Sequence, residues 1–430
     1  MSSSSAQQPG HHAAAGSSQT SAAAGLSTTS EDGARSQLSQ AGQPLGDGSS
    51  TSTAAAAAAA SAGGVAAGAA APSAAGFHPH PPAAAAAATL LPEDALPPPE
   101  LVAAQDDTIE AAESNADSDE FEPSEWGEDG GASTASTSIN SSIYMHTYEN
   151  GRRYHSYKNG RYPIPNDDQE QNREDMKHVM MLEMTDGKLV YAPISDHPQK
   201  IIDIGTGTGQ WAIEAGDRYP SAEVLGIDLS PIQPVWIPPN VKFIIDDCEE
   251  EWLNGDNFDL VHMRFMSPVL KDVLKMCSQS FANLKPGGWI EFQELHAWPQ
   301  CDDGTMLPDD AVAGFYKLVV EAFAKLGLDI HAPCKLDKPL EAAGFTNVQC
   351  VVKKIPIGTW ARDRRLRLVG HYLKLVIQDF LPALTNKPFT ILGLNQVERE
   401  MWRTATFKAL DDMSAHRYWN FYFWSGQKPA

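Results

Sequence analysis

The sequence predicts a doubly wound α/β domain behind a long disordered tail. Three observations carry this. The first is an apolar run, Ile201-Ile202, that leads through Asp203 into three glycines, Gly205, Gly207 and Gly209, and then into a helical stretch over residues 210–215. Strand, glycine turn, helix opens such a sheet, and ligands bind at the carboxyl ends of its strands. The second is a strand over residues 222–228 that ends in an acid, Asp228, roughly 20 residues after the glycines. The third is composition. Up to Asn140 the chain is Ala, Ser, Gly, Pro and acids, with Arg35 its single Lys or Arg.

Glycine serves the first turn in two ways: it adopts backbone angles closed to other residues, and it lets a ligand approach the main chain. An acid at the end of the second strand accepts hydrogen bonds from both ribose hydroxyls of a nucleoside. Two cofactor classes fit, dinucleotides and S-adenosylmethionine (SAM). The glycine spacing separates them. In the dinucleotide fingerprint G-x-G-x-x-G the third glycine comes three residues after the second. Here it comes after two, and Gln210 holds the fingerprint position. Asp203 points the same way, because a carboxylate repels a pyrophosphate and attracts an ammonium.

The stretch Asp203-Ile204-Gly205-Thr206-Gly207-Thr208-Gly209 resembles motif I of the class I SAM-dependent methyltransferases. Asp228, followed by Leu229, matches their ribose-binding acid. Residues 243–248, ending Asp246-Asp247-Cys248, resemble the third-strand segment whose end touches the adenine. Lys285-Pro286-Gly287-Gly288 resembles the turn into the fifth strand. A narrower resemblance is to the fungal LaeA-like methyltransferases. It rests on residues 151–162 and 165–171, on Asp228-Leu229-Ser230-Pro231-Ile232-Gln233-Pro234, and on the ending from His416 to Pro429. It covers roughly residues 143–430. It implies a Rossmann-like, seven-stranded doubly wound sheet with an N-terminal helical cover over a SAM site, and it adds Tyr157 to the expected cofactor contacts. It also brings an acceptor, a small molecule in fungal secondary metabolism, and a velvet-type protein partner.

Composition sets the bounds. The tail, residues 1–140, holds about 17 acids and carries about −16 of the net −23. It lacks the apolar content needed to offset the entropy of ordering. Residues 141–430 suffice for one methyltransferase domain with a sizeable core. An acidic body offers no basic patch for direct nucleic-acid contact. The five cysteines show no paired or metal-like spacing, so no metal site is expected and the setting is a reducing one. The Ala-rich run over residues 54–71 is too weakly apolar for a membrane span, and the start lacks a secretory signal. The expected location is intracellular, cytoplasmic or nuclear. Within the tail, residues 118–129 place Phe121 and Trp126 in an acidic field, which reads as a solvated spacer or a docking segment.

The domain then reads in order. Asn166 predicts a helix N-cap, with Gln169 completing a capping box, and the helix runs to about Met184 on an apolar face of Met176, Val179 and Met180. Strands follow at about 200–204, 223–228, 241–245 and 258–263, then a helix over 268–284 and a fifth strand over 289–295. Helices are expected at 308–326 and 336–343, a sixth strand after Gly344, and helices at 363–380 and 395–411. A closing strand over 418–424 is dense enough in aromatics to be buried on both faces. Parallel strands joined by helices give the doubly wound class.

Methyl transfer requires a base only where the acceptor must lose a proton. The candidates are His262 at the end of strand four, His155, and His296 beyond strand five. Arg264 suits a substrate carboxylate or an ion pair with one of the many acids. No Asn-Pro-Pro-Tyr tetrapeptide follows strand four, which argues against amide-nitrogen methylation. Two function classes remain: an enzyme that O- or N-methylates a small molecule, and a LaeA-like nuclear regulator that binds SAM and acts through protein partners.

Overall fold

A computed structural model describes residues 101–112, 146–149, 151–158 and 160–430 of the protein. Its centre is β4 (Lys200–Ile204). The chain leaves β4 through helix α2 (Gln210–Arg218), adds β5 (Glu223–Asp228) and β6 (Val241–Ile245) on one side, and returns on the other with β7 (Phe258–Arg264). These strands are parallel, and β8 (Leu284–Gln300) extends the parallel run beyond β7. The strand order reverses at β4, which makes its carboxyl end the switch point where α/β sheets bind ligands.

The closing strand β10 (Tyr418–Gln427) inserts antiparallel between β8 and β9 (Thr346–Pro356). Its alternation divides the core. Trp419, Phe421 and Phe423 face a cluster built on α1 (Asp168–Thr185), α4 (Ala311–Lys325) and α6 (Arg364–Ile391). Tyr422 and Trp424 face the opposite cluster with α3 (Val273–Asn283) and α5 (Asp337–Ala342). Period-two side chains with an apolar layer on both faces explain why nearly every residue of this strand is buried.

Several sequence expectations shift. The sheet has eight strands rather than seven, in the order β1-β9-β10-β8-β7-β4-β5-β6. The extra strand, β1 (Val102–Gln105), comes from the stretch assigned to the disordered tail and pairs parallel with β9. Ala111 adds a bridge to Ala361, and the Arg362 N–H donates to the Glu110 carbonyl at 2.7 Å. The acidic segment 118–129 lies outside the described residues. A hairpin, β2 (His146–Glu149) with β3 (Arg152–His155), precedes the cover helix.

The N-cap of α1 is Asp167, not Asn166. Its carboxylate accepts from the Glu170 N–H at 3.2 Å and is gripped by Arg152 at 2.5 and 2.8 Å, while Asn166 turns to Ser230. The helix expected at 268–284 is broken in two, because Asp272 caps a fresh start at Val273 and Leu270 is extended. Helix α6 passes through Pro382 and Pro388 where the sequence reading stopped at Phe380. Burial of Leu381, Leu384 and Phe389 against the core holds the continuation despite the lost backbone bonds. Helix α7 (Gln396–Leu410) follows, with a capping box between Asn395 and Glu398.

Because β1 contributes both backbone pairing and the packing of Val102 on the core, a chain starting at residue 113 is expected to melt a few degrees below one starting at residue 101. Equal melting temperatures by calorimetry would show that this edge strand adds nothing to stability.

Candidate functional site

The three glycines of the turn after β4 are left-handed, with φ of 72° at Gly205, 57° at Gly207 and 85° at Gly209. Gly209 is the N-cap of α2, and a Cβ there would lie 2.5 Å from the Phe243 ring. Gly207 is different: a Cβ would meet nothing within 4 Å, so its backbone faces open space. The loop after β5 clamps this residue from both sides. Asp228 Oδ2 accepts from the Gly207 N–H at 2.9 Å, and Gln233 Nε2 donates to the Gly207 carbonyl at 2.6 Å. The other Asp228 oxygen accepts from the Ser230 N–H at 2.8 Å. Burial pushes the Asp228 carboxyl up to about 6, against the pull of those two N–H donors.

Asp203 sits below the turn, buried on β4. Its Oδ2 accepts from Thr206 Oγ1 at 2.6 Å, and its Oδ1 lies 2.8 Å from His262 Nδ1 on β7. Parallel register places Gly226, Asp203, His262 and Glu291 side by side across four strands. The Trp211 ring of α2 covers His262, with centroids 3.5 Å apart and planes within 2°. Glu291 in turn accepts from the Tyr191 and Ala192 N–H groups and from Gln293 Nε2. His262 is therefore sealed inside the sheet rather than presented to a ligand.

Helix α1 closes the top. Thr208 Oγ1 donates to Asp175 at 2.7 Å, which ties the cover to the glycine turn. The buried face of α1 is ionic: Glu170, Arg173, Lys177 and His178 are all buried, Arg173 bonds Glu170 and Glu174, and Lys177 pairs with Glu174 at 2.7 Å. Burial lowers the Lys177 ammonium to about 8 although Glu174 opposes it, and its Nζ lies 3.9 Å over the Phe265 ring. The cleft under this cover is lined by Glu174, His178, Asp203, Thr206, Arg264 and Phe265 together with the glycine turn. Its free volume is about 30 Å³. Phe265 itself is left-handed, with φ of 58°, a strained backbone for a bulky residue.

At the end of β6, the Asp246 N–H donates to the Asp228 carbonyl at 3.0 Å, and its carboxylate accepts from Asn254. Asp247 is held by Arg161 at 3.3 Å, and Arg161 also contacts Glu249. Cys248 is half-buried, and burial pushes its thiol up to about 12. A methyltransferase-domain family model matches residues 173–349, which hold the parallel strands β4 to β8 and most of α1. Methyltransferase pytC of Aspergillus terreus is 37% identical over 68% of this chain and 91% of its own length. The secondary metabolism regulator LAE1 of Cochliobolus heterostrophus is 35% identical over 65% and 94%, and the protein-methionine methyltransferase laeA of Emericella nidulans is 32% identical over 71% and 83%. The chain belongs to this methyltransferase family. Its cofactor is SAM.

Against that methyltransferase frame the expected site residues fall into two groups. Asp203, Gly205, Thr206, Gly207, Thr208, Gly209, Asp228 and Asp246 converge on the carboxyl ends of β4, β5 and β6, with Leu229, Asp247 and Cys248 adjoining them. Tyr157, His155 and His296 stand apart from the cleft lining. The Tyr157 carbonyl accepts from the buried His155 Nδ1 at 2.6 Å. His296 lies in the other row of β8 side chains, 2.8 Å from His331, and burial lowers it to about 3. The sequence reading missed His178, Glu174, Asp175 and Gln233. Their signals were the acid–base spacing at three and four residues along α1 and the polar loop after Asp228. It also missed Glu294, fully buried, whose Oε1 accepts from the Met266 and Ser267 N–H groups at 3.1 and 3.0 Å. Among the described residues no His, Cys, Asp or Glu group is arranged to hold a metal ion.

His262→Ala removes the stacked ring and the Asp203 bond, and should cost roughly 2–4 kcal/mol in denaturant unfolding. A change below 0.5 kcal/mol, on the same principle of surface-like tolerance, would contradict its packed role. Burial pushes Glu294 up to about 8, so between its ordinary range and that value the folded protein holds a proton that the unfolded chain has lost. Stability then falls as pH rises through this window. Glu294→Gln keeps the acceptor oxygen and has no proton to lose. Its melting temperature should decline less than the wild type's between about pH 5 and about pH 9; parallel curves would contradict this.

Proposed function

We propose that this chain holds SAM across β5, β4 and β7 and methylates a small-molecule acceptor of fungal secondary metabolism. The observation that carries this reading is the double clamp on Gly207, which leaves its left-handed backbone facing open space beside the Asp228 carboxylate. Asp228 accepts from the ribose hydroxyls, and the turn supports the methionine arm. The residues at the end of β6 flank the adenine. SAM supplies an electrophilic methyl group on a sulfonium.

The rest falls to this chain's own side chains. Asp203 accepts from Thr206 with one oxygen and holds His262 with the other, so it braces the turn and lends the cleft negative charge. Neither His262 nor His155 meets the cleft. His178, which does, is engaged by Arg264. Catalysis by position is the mode this geometry favours; alignment of two reactants contributes roughly 7–11 kcal/mol. The name of laeA, a protein-methionine methyltransferase, supports a second reading in which the acceptor is a protein side chain.

Asp228→Ala should abolish SAM binding by titration calorimetry while the fold is retained. Wild-type affinity should fall as pH drops through about 6, because protonation removes the acceptor for the hydroxyls. Unchanged affinity in the variant would end this assignment. Incubation with methyl-labelled SAM and fungal extract separates the acceptors: label in the small-molecule fraction supports the first reading, and label in protein the second.

A further inference from the structure

Arg264 is the last residue of β7, and it lines the cleft beside Asp203 and the glycine turn. The chain has 55 acids to 32 Lys and Arg, and its buried bases are matched. Arg173 has Glu170 and Glu174, Lys177 has Glu174, and Arg417 has Asp310 at 2.5 Å. Arg264 is the exception. Among the described residues no carboxylate comes within ion-pair distance of it, and its hydrogen bond is to the ring of His178, at 2.9 Å from Nδ1.

That bond fixes the rest of the arrangement. A guanidinium only donates, so His178 Nδ1 accepts and the ring is neutral, with its proton on Nε2. Nε2 lies 3.0 Å from Glu214 on α2. Glu214, His178 and Arg264 thus form a chain across α2, α1 and β7 that aims a cation into the cleft. Burial also lowers the His178 pKa, which keeps the ring in its accepting form. Arg264 is half-buried, and a cation partly removed from water without a counter-ion carries a desolvation cost that an anion arriving with a ligand would offset. Strand order separates Arg264 from Asp228 by two strand spacings, about 10 Å, with the glycine turn between them. A nucleoside anchored at Asp228 therefore extends an amino-acid arm toward Arg264.

We infer that Arg264, positioned by His178 and Glu214, is the receptor for the α-carboxylate of the cofactor's methionine arm. The guanidinium fork matches a carboxylate in a two-bond geometry that lysine does not reproduce. This rests on the SAM site proposed above. The test is titration calorimetry with two product-like ligands. S-adenosylhomocysteine carries the amino-acid arm, and 5′-methylthioadenosine is the same nucleoside thioether without it.

Arg264→Gln should weaken S-adenosylhomocysteine at least tenfold and leave methylthioadenosine unchanged, and Arg264→Lys should recover only part of the loss. Retained methylthioadenosine binding shows that the variant is folded. Equal losses for both ligands, or an unchanged S-adenosylhomocysteine affinity, would overturn the assignment. An Arg264→Gln protein that binds both ligands normally but no longer transfers methyl groups would overturn it in favour of an acceptor contact. Wild-type protein that bound neither ligand would instead bring down the SAM site itself.

Discussion

The Asp203 carboxylate is the constraint on which the site depends. It sits on the central strand with almost no exposure, and its two oxygens reach in different directions. One holds Thr206 in the glycine turn, and the other holds His262 on the neighbouring strand. A buried carboxylate without partners would be expelled or protonated. Here it fastens the turn to the sheet at the point where strand order reverses. The Trp211 ring then roofs His262, so the first helix is locked to the same post. Replacing any one of these groups strands another in the interior.

A second set of buried charges shapes the cover. Helix α1 turns an ionic face inward along its first turns and packs Met180, Met181 and Met184 into the core beyond it. Glu170, Arg173, Glu174 and Lys177 neutralise one another along one side of the helix. Such networks fix orientation more than they add stability, since desolvation takes back much of the Coulombic gain. The orientation they fix is the one that brings Asp175 to Thr208 and His178 to Arg264.

Much of this was legible in the sequence. The first two parallel strands were visible because each ends in a turn or an acid whose chemistry is local: Asp203 with its glycines, and Asp228; the expected turn at Gly287-Gly288 lies instead inside β8. The edge strand β1 was not, because Val102-Ala103-Ala104-Gln105 has no alternation and its order comes from pairing with β9, far along the chain. The hairpin was readable in principle. Asn150-Gly151 between two aromatic-bearing runs is a strong hairpin signal. Arg264 suits an ion pair by sequence, but the acids near it are committed: Glu174 to Arg173 and Lys177, Asp203 to Thr206 and His262, and Glu214 to His178. The histidines failed as base candidates for a shared reason. Position at a strand end says nothing about which way the ring is covered, and Trp211 and the Tyr157 carbonyl cover two of them.

The cleft is bounded on one side by the glycine turn and on the other by the cover helix, α1. The segment that leads into that helix is held by ion pairs: Lys158 to Glu250 at 2.6 Å on the surface, and Arg161 to Asp247 and Glu249 beneath. Surface ion pairs weaken as salt screens them, over a distance of about 8 Å at physiological ionic strength. The segment that leads into the cover helix is thus held to the loop after β6 by charge, and the exposed part of that hold, Lys158 with Glu250, loosens as salt rises.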